Sequence, residues 1–419
     1  MKNKSLIIAL TYILLCVVCS CKKDDAAAEP DPQPEVTAHG DPDGLPVSKS
    51  IGPEGGLIQT PDSSLTLEIP GGAVTSPTSF TIQPVTQKLG SSTGTTYRLS
   101  PENVSFQKDV RITFSYTDED LTGTTANDLY LAYQDAEGYW HRALETDIDE
   151  VDKKLTVQTR HFSDWTIERT FYIDNIHGKT QLSAGEETGL IVFVKDVDEN
   201  GNLLSSMPVP NKNIDTWFVN GAGKLDRLRM ESVTYTAPST IESPQTVAVG
   251  VRIKNIVSRR NPDRPGNTGL VILQVPIELL PDEYFTWEIG GVTHTGVSLD
   301  AVRLGAITQL IGTGLTGNVS LSVNASKAGS YELGSAVNPD TFGIQVFISR
   351  QNNLLYQGEY YVCGEAVPRY GKGKLTITNY GSKGGKIEGY FTATVYGLTS
   401  ECRNDSKLAT GKFRIKRMQ

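Results

Sequence analysis

Apolar and polar residues alternate along short runs over most of the chain. Leu-Thr-Leu-Glu-Ile at 65–69, Val-Arg-Ile-Thr-Phe at 110–114 and Leu-Thr-Val at 155–157 are typical of strands with one buried face. Glycine, proline, asparagine and aspartate separate such runs, and helical periodicity is nearly absent. Because a strand that buries one face needs a second sheet, the pattern predicts an all-β chain of tandem antiparallel β-sandwich or barrel domains.

Three folded units are expected after an N-terminal region of different composition. They are predicted over residues 47–168, 169–282 and 283–419. Residues 21–46 are rich in Asp, Glu, Ala and Pro, and they offer too little apolar surface to fold alone. They are expected to form a flexible spacer behind a leader at 1–20.

The leader has the layout of a secretory signal peptide. Lys2 and Lys4 precede an apolar run at 6–18, which is too short to span a bilayer, since that takes about 20 residues. Val-Cys-Ser-Cys at 18–21 resembles the lipobox of bacterial lipoproteins, whose invariant cysteine carries diacylglycerol and becomes the mature N-terminus. The resemblance makes Cys21 the lipidation site. An ordinary secretory cleavage without lipid is the alternative.

Charged residues begin directly after Cys21. Lys-Lys-Asp-Asp at 22–25 is similar to the surface-export signals of Bacteroidota-type lipoproteins. The resemblance implies a chain anchored in the outer membrane and exposed at the cell surface, with a periplasm-facing orientation as the alternative. Each buried methylene contributes about 0.8 kcal/mol, so two or three acyl chains would hold the chain at the membrane.

The cysteines indicate the compartment of the chain, and its charge limits the classes of partner. Cys363 and Cys402 lie in the folded region, where an oxidising compartment favours one disulfide and two buried free thiols are the alternative. The net charge is -9 and no basic stripe is interleaved with aromatic residues, which argues against nucleic acid. The expected partners are the membrane and a protein or glycan at the surface, and the oligomeric state is open.

The first unit carries a family resemblance. A Gly-Gly turn at 55–56, the strand at 65–69 and Ile-Pro-Gly-Gly-Ala at 69–73 resemble the ZU-five domain of ankyrins, netrin receptors and death-domain scaffold proteins. Those domains are interaction and structural modules. The resemblance therefore implies a spacing or binding role without catalysis.

His-Phe-Ser at 161–163 supplies one specific chemical hypothesis. Some ZU-five domains cleave themselves at this tripeptide, where serine attacks the preceding carbonyl and histidine acts as the base. Carried onto this chain, the resemblance makes Ser163 the nucleophile and His161 the base, and the bond between Phe162 and Ser163 is cut. The alternative is a final strand that buries Phe162 and Trp165 while His161 and Ser163 face outward.

The second unit contains a candidate calcium loop. Asp196, Asp198 and Asn200 stand at alternate positions, from which their side-chain oxygens can converge on one cation. Met207 occupies the position where an EF-hand loop needs glutamate, and Asn200 followed by Gly201 is a strong hairpin signal. A plain turn is therefore the alternative.

Weaker resemblances cover the rest of the chain. Trp217 and Tyr-Thr-Ala-Pro at 235–238 are similar to bacterial immunoglobulin-like repeats, which implies an immunoglobulin-like sandwich around a buried tryptophan. Phe-Thr-Trp at 285–287 and repeated glycine-aromatic strand starts resemble a small β-domain of unknown function in Bacteroidota-type lipoproteins.

A group of tyrosines in the third unit is a candidate binding surface. Exposed members could stack on sugars or proteins, and packing inside strands is the alternative because aromatic residues favour strands. The group consists of Tyr356, Tyr360, Tyr361, Tyr370 and Tyr380.

Other catalytic and cofactor signatures fail on their context. The histidines are scattered without the paired spacing of a zinc site, and Gly-Ser-Ser-Thr-Gly at 90–94 matches the nucleophile-elbow pattern without a following helix. No cofactor or metal is expected, and the chain is not expected to be an enzyme. The sequence predicts a lipid-anchored adhesion, scaffold or interaction protein of the cell envelope. A surface glycan- or nutrient-binding lipoprotein is the alternative, and self-cleavage is a minor one.

Overall fold

The computed structural model describes most of the chain as β-structure. The described residues are 32–102, 104–255, 269–348, 354–362, 367–397 and 405–418. Two short 3-10 helices, Ala126–Asp128 and Asn211–Asn213, interrupt the strands. No helix in these ranges has the length and apolar character needed to cross a membrane. The predicted all-β fold is confirmed.

Two antiparallel sheets packed face to face form the first unit. The strand order is β1-β4-β5-β11-β7-β8 in one sheet and β2-β3-β6-β10-β9 in the other. The alternation predicted for β3 is observed, since Leu65, Leu67 and Ile69 are buried. The strands are β1 (Val47–Ile51), β2 (Gly56–Gln59), β3 (Leu65–Ile69), β4 (Thr78–Val85), β5 (Ser92–Ser100), β6 (Val110–Ser115), β7 (Leu129–Gln134), β8 (Trp140–Arg142), β9 (Asp147–Asp149), β10 (Lys154–Thr159) and β11 (Asp164–Arg169).

The second unit is also built from two sheets. One has the order β12-β14-β18-β17 with β15 paired to β14, and the other has the order β13-β20-β19-β16. Trp217 is 1% exposed in the core between them, and its indole Nε1 donates to the Met230 carbonyl at 2.8 Å. The strands are β12 (Phe171–Asn175), β13 (Gln181–Leu182), β14 (Glu187–Val194), β15 (Met207–Pro208), β16 (Ile214–Asn220), β17 (Lys224–Leu225), β18 (Ser232–Thr236), β19 (Gln245–Lys254) and β20 (Leu270–Leu279).

The third unit is a sheet that closes on itself. Its wall runs β24-β23-β22-β21-β32-β31-β27-β26, and β26 pairs back onto β24. β25 and β30 connect β26 to β31, while β28 and β29 form a separate pair. The strands are β21 (Tyr284–Ile289), β22 (Val292–Leu304), β23 (Ile307–Gly314), β24 (Gly317–Val323), β25 (Gly329–Leu333), β26 (Thr341–Ile348), β27 (Leu354–Gln357), β28 (Glu359–Tyr360), β29 (Arg369–Tyr370), β30 (Gly373–Tyr380), β31 (Lys386–Gly397) and β32 (Asp405–Lys416).

Side chains fill the interior of the closed sheet. Phe285, Trp287, Phe391 and Phe413 meet there, with ring centroids 5.4 to 6.3 Å apart around Phe285. Strand residues alternate between this interior and the outer face, as the period of two requires. Polar residues such as Ser320, Ser322 and Gln345 lie on the outer face, where they can meet a ligand, while Thr308 and His294 are buried.

The end of the predicted spacer is bound to the folded units. Glu35 N donates to Leu203 O at 2.7 Å, and Thr37 N donates to Gly138 O at 3.0 Å. Residues 32–46 thereby place their backbone donors and acceptors against exposed sandwich edges. The expectation of a flexible spacer is wrong for this part, because its polar backbone is satisfied by the neighbouring units although it has little apolar surface of its own.

The first two units are joined by a small apolar cluster. Leu89, Ala132 and Trp140 from the first unit pack with Leu203 from the second. A backbone hydrogen bond from Gly123 N to a carbonyl of β20 adds a second connection. The N-terminal segment crosses the same junction, so three sets of contacts hold these units together.

Candidate functional site

The His-Phe-Ser tripeptide lies directly before β11, at the edge of the first core. Phe162 is 3% exposed and packs on Phe80 and Phe106, with ring centroids 6.0 and 4.8 Å away. The His161 ring lies against Tyr133, with centroids 4.9 Å apart. Although His161 is exposed as a residue, this packing desolvates the imidazole and lowers its pKa below the usual value.

The side chains required for self-cleavage are not joined by a hydrogen bond. The Ser163 hydroxyl is buried and has no hydrogen-bond partner among the described residues. The Ser163 carbonyl accepts from Leu99 N at 2.9 Å, which ties the serine to β5. A base activates a hydroxyl through a hydrogen bond. The contact between Ser163 and His161 that would start cleavage is therefore not formed in this conformation.

The candidate calcium loop forms a tight turn. The Asp198 carboxylate accepts hydrogen bonds from Asn200 N at 2.8 Å, from Asn202 N at 2.9 Å and from Asn202 Nδ2 at 2.7 Å. These bonds, the Asn202 side chain first, lower the pKa of Asp198. Gly201 supplies the left-handed backbone with φ +82°. Asp196 contributes its carbonyl to a backbone hydrogen bond of 2.9 Å.

The same loop brings few acidic groups together. No group of three or more His, Cys, Asp or Glu side chains in the described ranges is placed to hold a metal ion. In this arrangement the carboxylate oxygens of Asp198 accept hydrogen bonds within the turn. This is what the hairpin alternative predicts.

A buried lysine lies where the N-terminal segment meets the second unit. The Lys195 side chain is 0% exposed, and its ammonium group donates to the Glu35 carboxylate. Burial lowers the pKa of Lys195 to about 7, whereas the carboxylate in contact with it favours the charged form. The pair therefore depends on Glu35 remaining docked.

A second buried ion pair lies next to this lysine. Arg142 pairs with Glu168, and both side chains are nearly inaccessible. The Arg142 guanidinium also donates to the Lys195 carbonyl at 2.9 Å and lies over the Tyr130 ring at 4.9 Å from its centroid. Buried charges are tolerated only when they are paired and hydrogen-bonded, so this network fixes the junction of the first two units.

Of the five tyrosines, Tyr356 lies in the core of the third unit and Tyr380 packs against that core. Tyr356 is 1% exposed, and its hydroxyl donates to the Asp405 carboxylate at 2.7 Å. The Tyr380 hydroxyl lies 2.7 Å from the Thr308 hydroxyl, inside the closed sheet. Both residues therefore follow the alternative in which the tyrosines pack within the fold and do not form a binding surface.

The remaining three tyrosines lie on the pair β28-β29 or next to it. The Tyr360 ring packs on Tyr396 with centroids 4.3 Å apart. Tyr361 is 44% exposed and Tyr370 is 37% exposed. Only this part of the tyrosine group is available as a surface for a ligand.

A polar groove crosses the outer face of the closed sheet beside Tyr370. Its volume is about 250 Å³, and its floor consists of outward-facing residues of β23, β24, β26 and β27. Besides Tyr370, its polar side chains are Gln309, Ser320, Ser322, Ser335, Gln345, Gln357 and Glu359.

Sequence reasoning did not find this groove. Its residues lie between positions 309 and 370, and the pairings of β24 with β23 and of β26 with β24 and β27 bring those of the floor together. One local signal existed, since Ser320 and Ser322 alternate with the buried residues Val319, Leu321 and Val323. That alternation predicts which residues of β24 face outward, but it does not predict which strand lies beside them.

The remaining predicted sites lie outside the described residues. They are the lipidation residue Cys21 and the two cysteines of the predicted disulfide, Cys363 and Cys402.

Comparisons with known proteins add no family to this description. No model of a known protein family matches the chain, and a search of curated proteins finds no match. The resemblances to the ZU-five domain, to immunoglobulin-like repeats and to a lipoprotein β-domain stay predictions.

Proposed function

We propose that this chain is a lipid-anchored, non-catalytic protein of the bacterial outer membrane that acts as a multi-domain adhesion or interaction module. The observation that carries the proposal is the docking of residues 32–46 on the first two units, directly behind the predicted lipid at Cys21. Chain geometry limits the reach from Cys21 to Gln33 to about 40 Å. The first two units would then stand close to the membrane.

The junction supports a mechanical role for that segment. A pull on the lipid anchor would reach the folded units first through Gln33, whose carbonyl accepts from Ser205 N at 2.8 Å, and then through Glu35, whose carboxylate holds Lys195 in a buried pair. Gln134 Nε2 donates to the Thr37 carbonyl at 2.7 Å and to the Thr37 hydroxyl at 2.9 Å. Trp140 Nε1 donates to the same hydroxyl at 2.9 Å. Several hydrogen bonds would have to break together before the units separate, as an adhesion module requires.

A second form of the proposal concerns the third unit. Its polar groove favours binding of a glycan or another nutrient at the cell surface. The anchor, the first two units and the compartment are the same in both forms. They differ only in whether the third unit recognises a small ligand.

An adherence experiment tests the proposal. Bacteria expressing the full chain are compared with bacteria expressing Cys21→Ser for retention on surfaces coated with polysaccharide or with matrix protein. Cys19→Ser is the matched control, because it removes a neighbouring thiol and leaves the predicted lipid site intact. We expect wild type and Cys19→Ser to be retained and Cys21→Ser to lose both membrane association and adherence. Equal behaviour of all three strains would refute the proposal.

A further inference from the structure

The groove on the third unit contains polar groups that no other part of the described chain uses. The side chains of Ser322, Gln345 and Gln357 make no hydrogen bond to any described residue. Gln345 is paired in register with Ser320 on one side and with Gln357 on the other. Cross-strand neighbours lie about 5 Å apart, so Ser320, Gln345 and Gln357 form one row across β24, β26 and β27.

The chemistry of this row suits hydroxyl groups. Each glutamine offers two donors and one acceptor oxygen, and each serine hydroxyl both donates and accepts. A sugar hydroxyl likewise donates and accepts, so it can satisfy either kind of group. Gln309 already bridges to the Ser320 hydroxyl at 3.4 Å, which holds this end of the row in place.

A glycine gives the groove its depth. Gly343 faces outward on β26, opposite Ser322 in register. A Cβ added there would meet its nearest neighbour, the Ala336 Cβ, at 3.7 Å, which is ordinary contact. The volume of about 250 Å³ is just below the range of about 300 to 1,000 Å³ for drug-sized ligands. The groove is therefore of a size for one sugar ring.

An aromatic ring and a carboxylate stand at one side of the groove. Glu359 and Tyr370 are register partners in the pair β28-β29, and both line it. The exposed Tyr370 ring offers an apolar face to the C–H surface of a sugar, while the carboxylate accepts hydrogen bonds from hydroxyls. Glu359 is the charged side chain among the described lining residues, so anionic ligands such as phosphates or uronic acids would be repelled.

An extended peptide does not fit this face. Recognition of a peptide by strand addition needs an unpaired sheet edge. Every strand of the groove floor is already paired on both sides, β23 with β22 and β24, β24 with β23 and β26, β26 with β24 and β27, and β27 with β26 and β31. The groove offers side chains rather than free backbone groups.

We infer that this groove binds a neutral saccharide through the row Ser320, Gln345 and Gln357, with Tyr370 packed on the sugar ring. The inference rests on the proposed binding function of the chain and assigns that function to a site. It would place the specific contact on the third unit, the part farthest along the chain from the lipid.

Binding of neutral glycans by the full-length protein in detergent micelles tests the inference. The probes are printed oligosaccharides of glucose, mannose, galactose and N-acetylglucosamine, and the strongest hit is then titrated calorimetrically. Gly343→Leu fills the groove, and Gln345→Ala removes the centre of the row from an exposed position. Thr313→Leu is the matched control, because it adds the same side chain at an exposed outer position of β23 outside the groove.

We expect wild type to bind at least one neutral glycan, and Gly343→Leu and Gln345→Ala to weaken binding by about tenfold, equivalent to about 1.4 kcal/mol. Thr313→Leu should match wild type. Binding of no glycan, undiminished binding by both groove variants, or groove-dependent binding of a matrix protein in place of glycans would each overturn the inference. Membrane retention and adherence that persist in Gly343→Leu would leave the proposed function standing without this site.

Discussion

Lys195 shows how a single residue depends on the docked N-terminal segment. Its ammonium group is buried among the first two units, and the Glu35 carboxylate is its acidic partner. A buried amine without a partner is destabilising in its charged form, because burial removes its hydration. The charge state of Lys195 is thus coupled to the position of residue 35, only a short stretch of chain after the predicted lipid.

Replacing the acidic partner should make stability depend on pH. Beside Glu35, burial lowers the folded pKa of Lys195 to about 7, and in Glu35→Gln the loss of the carboxylate leaves burial unopposed and takes the folded pKa lower still, whereas the unfolded chain keeps the ordinary value of 10.5. Between these values the unfolded state binds more protons, so the stability of the variant rises with pH across this window. We expect a loss of about 3 to 5 kcal/mol at about pH 6, as for a broken buried pair, and a clearly smaller loss at about pH 9.

Denaturant unfolding of both proteins at the two pH values measures this effect. Asp41→Asn is the control in the same segment, because Asp41 is 80% exposed in its pair with Lys88. That change should cost less than about 1 kcal/mol at either pH. A loss in Glu35→Gln that is equal at both pH values would show that Lys195 does not titrate as burial requires.

At the residue scale, the sequence predicts which side chains are buried more readily than which residues they contact. Strand patterning indicates Phe162 and Trp165 as core residues, the resemblance to immunoglobulin-like repeats indicates Trp217, and all three are nearly inaccessible. The loop at Asp198 likewise forms the turn indicated by the Asn-Gly signal. Ser320 and Gln345 belong to one groove only through strand register, which no local pattern encodes.

At the element scale, the N-terminal segment behaves differently from its composition. Its prolines and acidic residues favour an extended chain without a core of its own. In the structure, the backbone of this segment is paired with the folded units through β-bridges from Pro34 to Leu204 and from Val36 to Tyr139. Sequence alone does not reveal such docking, because the complementary edges come from β8 and from the loop near residue 204.

Hydrogen exchange should distinguish docked chain from free spacer. The amides of Glu35 and Thr37 donate to Leu203 O and Gly138 O, so we expect them to exchange slowly. The intervening amide of Val36 has no backbone acceptor among the described residues and serves as the internal control. Fast exchange at all three amides would show that the spacer extends through this segment.

At the scale of the whole molecule, a connected pair of sandwiches and a closed sheet follow the proposed lipid anchor. The cores of the three units lie within 51–167, 171–279 and 285–415, and the fourth apolar cluster spans the first junction. Contacts between the second and third units include Lys386 with Asp282. Such a chain can transmit load from a membrane to a ligand without a catalytic step.

The intact mass of the full-length protein extracted from membranes tests both the lipid at Cys21 and the absence of self-cleavage. We expect one species that begins at Cys21 and carries a diacylglyceryl modification with no internal cut. The Cys21→Ser chain should lack the lipid mass. An unlipidated mature chain would contradict the anchor. Two fragments divided between Phe162 and Ser163 would instead contradict the non-catalytic reading of the first unit.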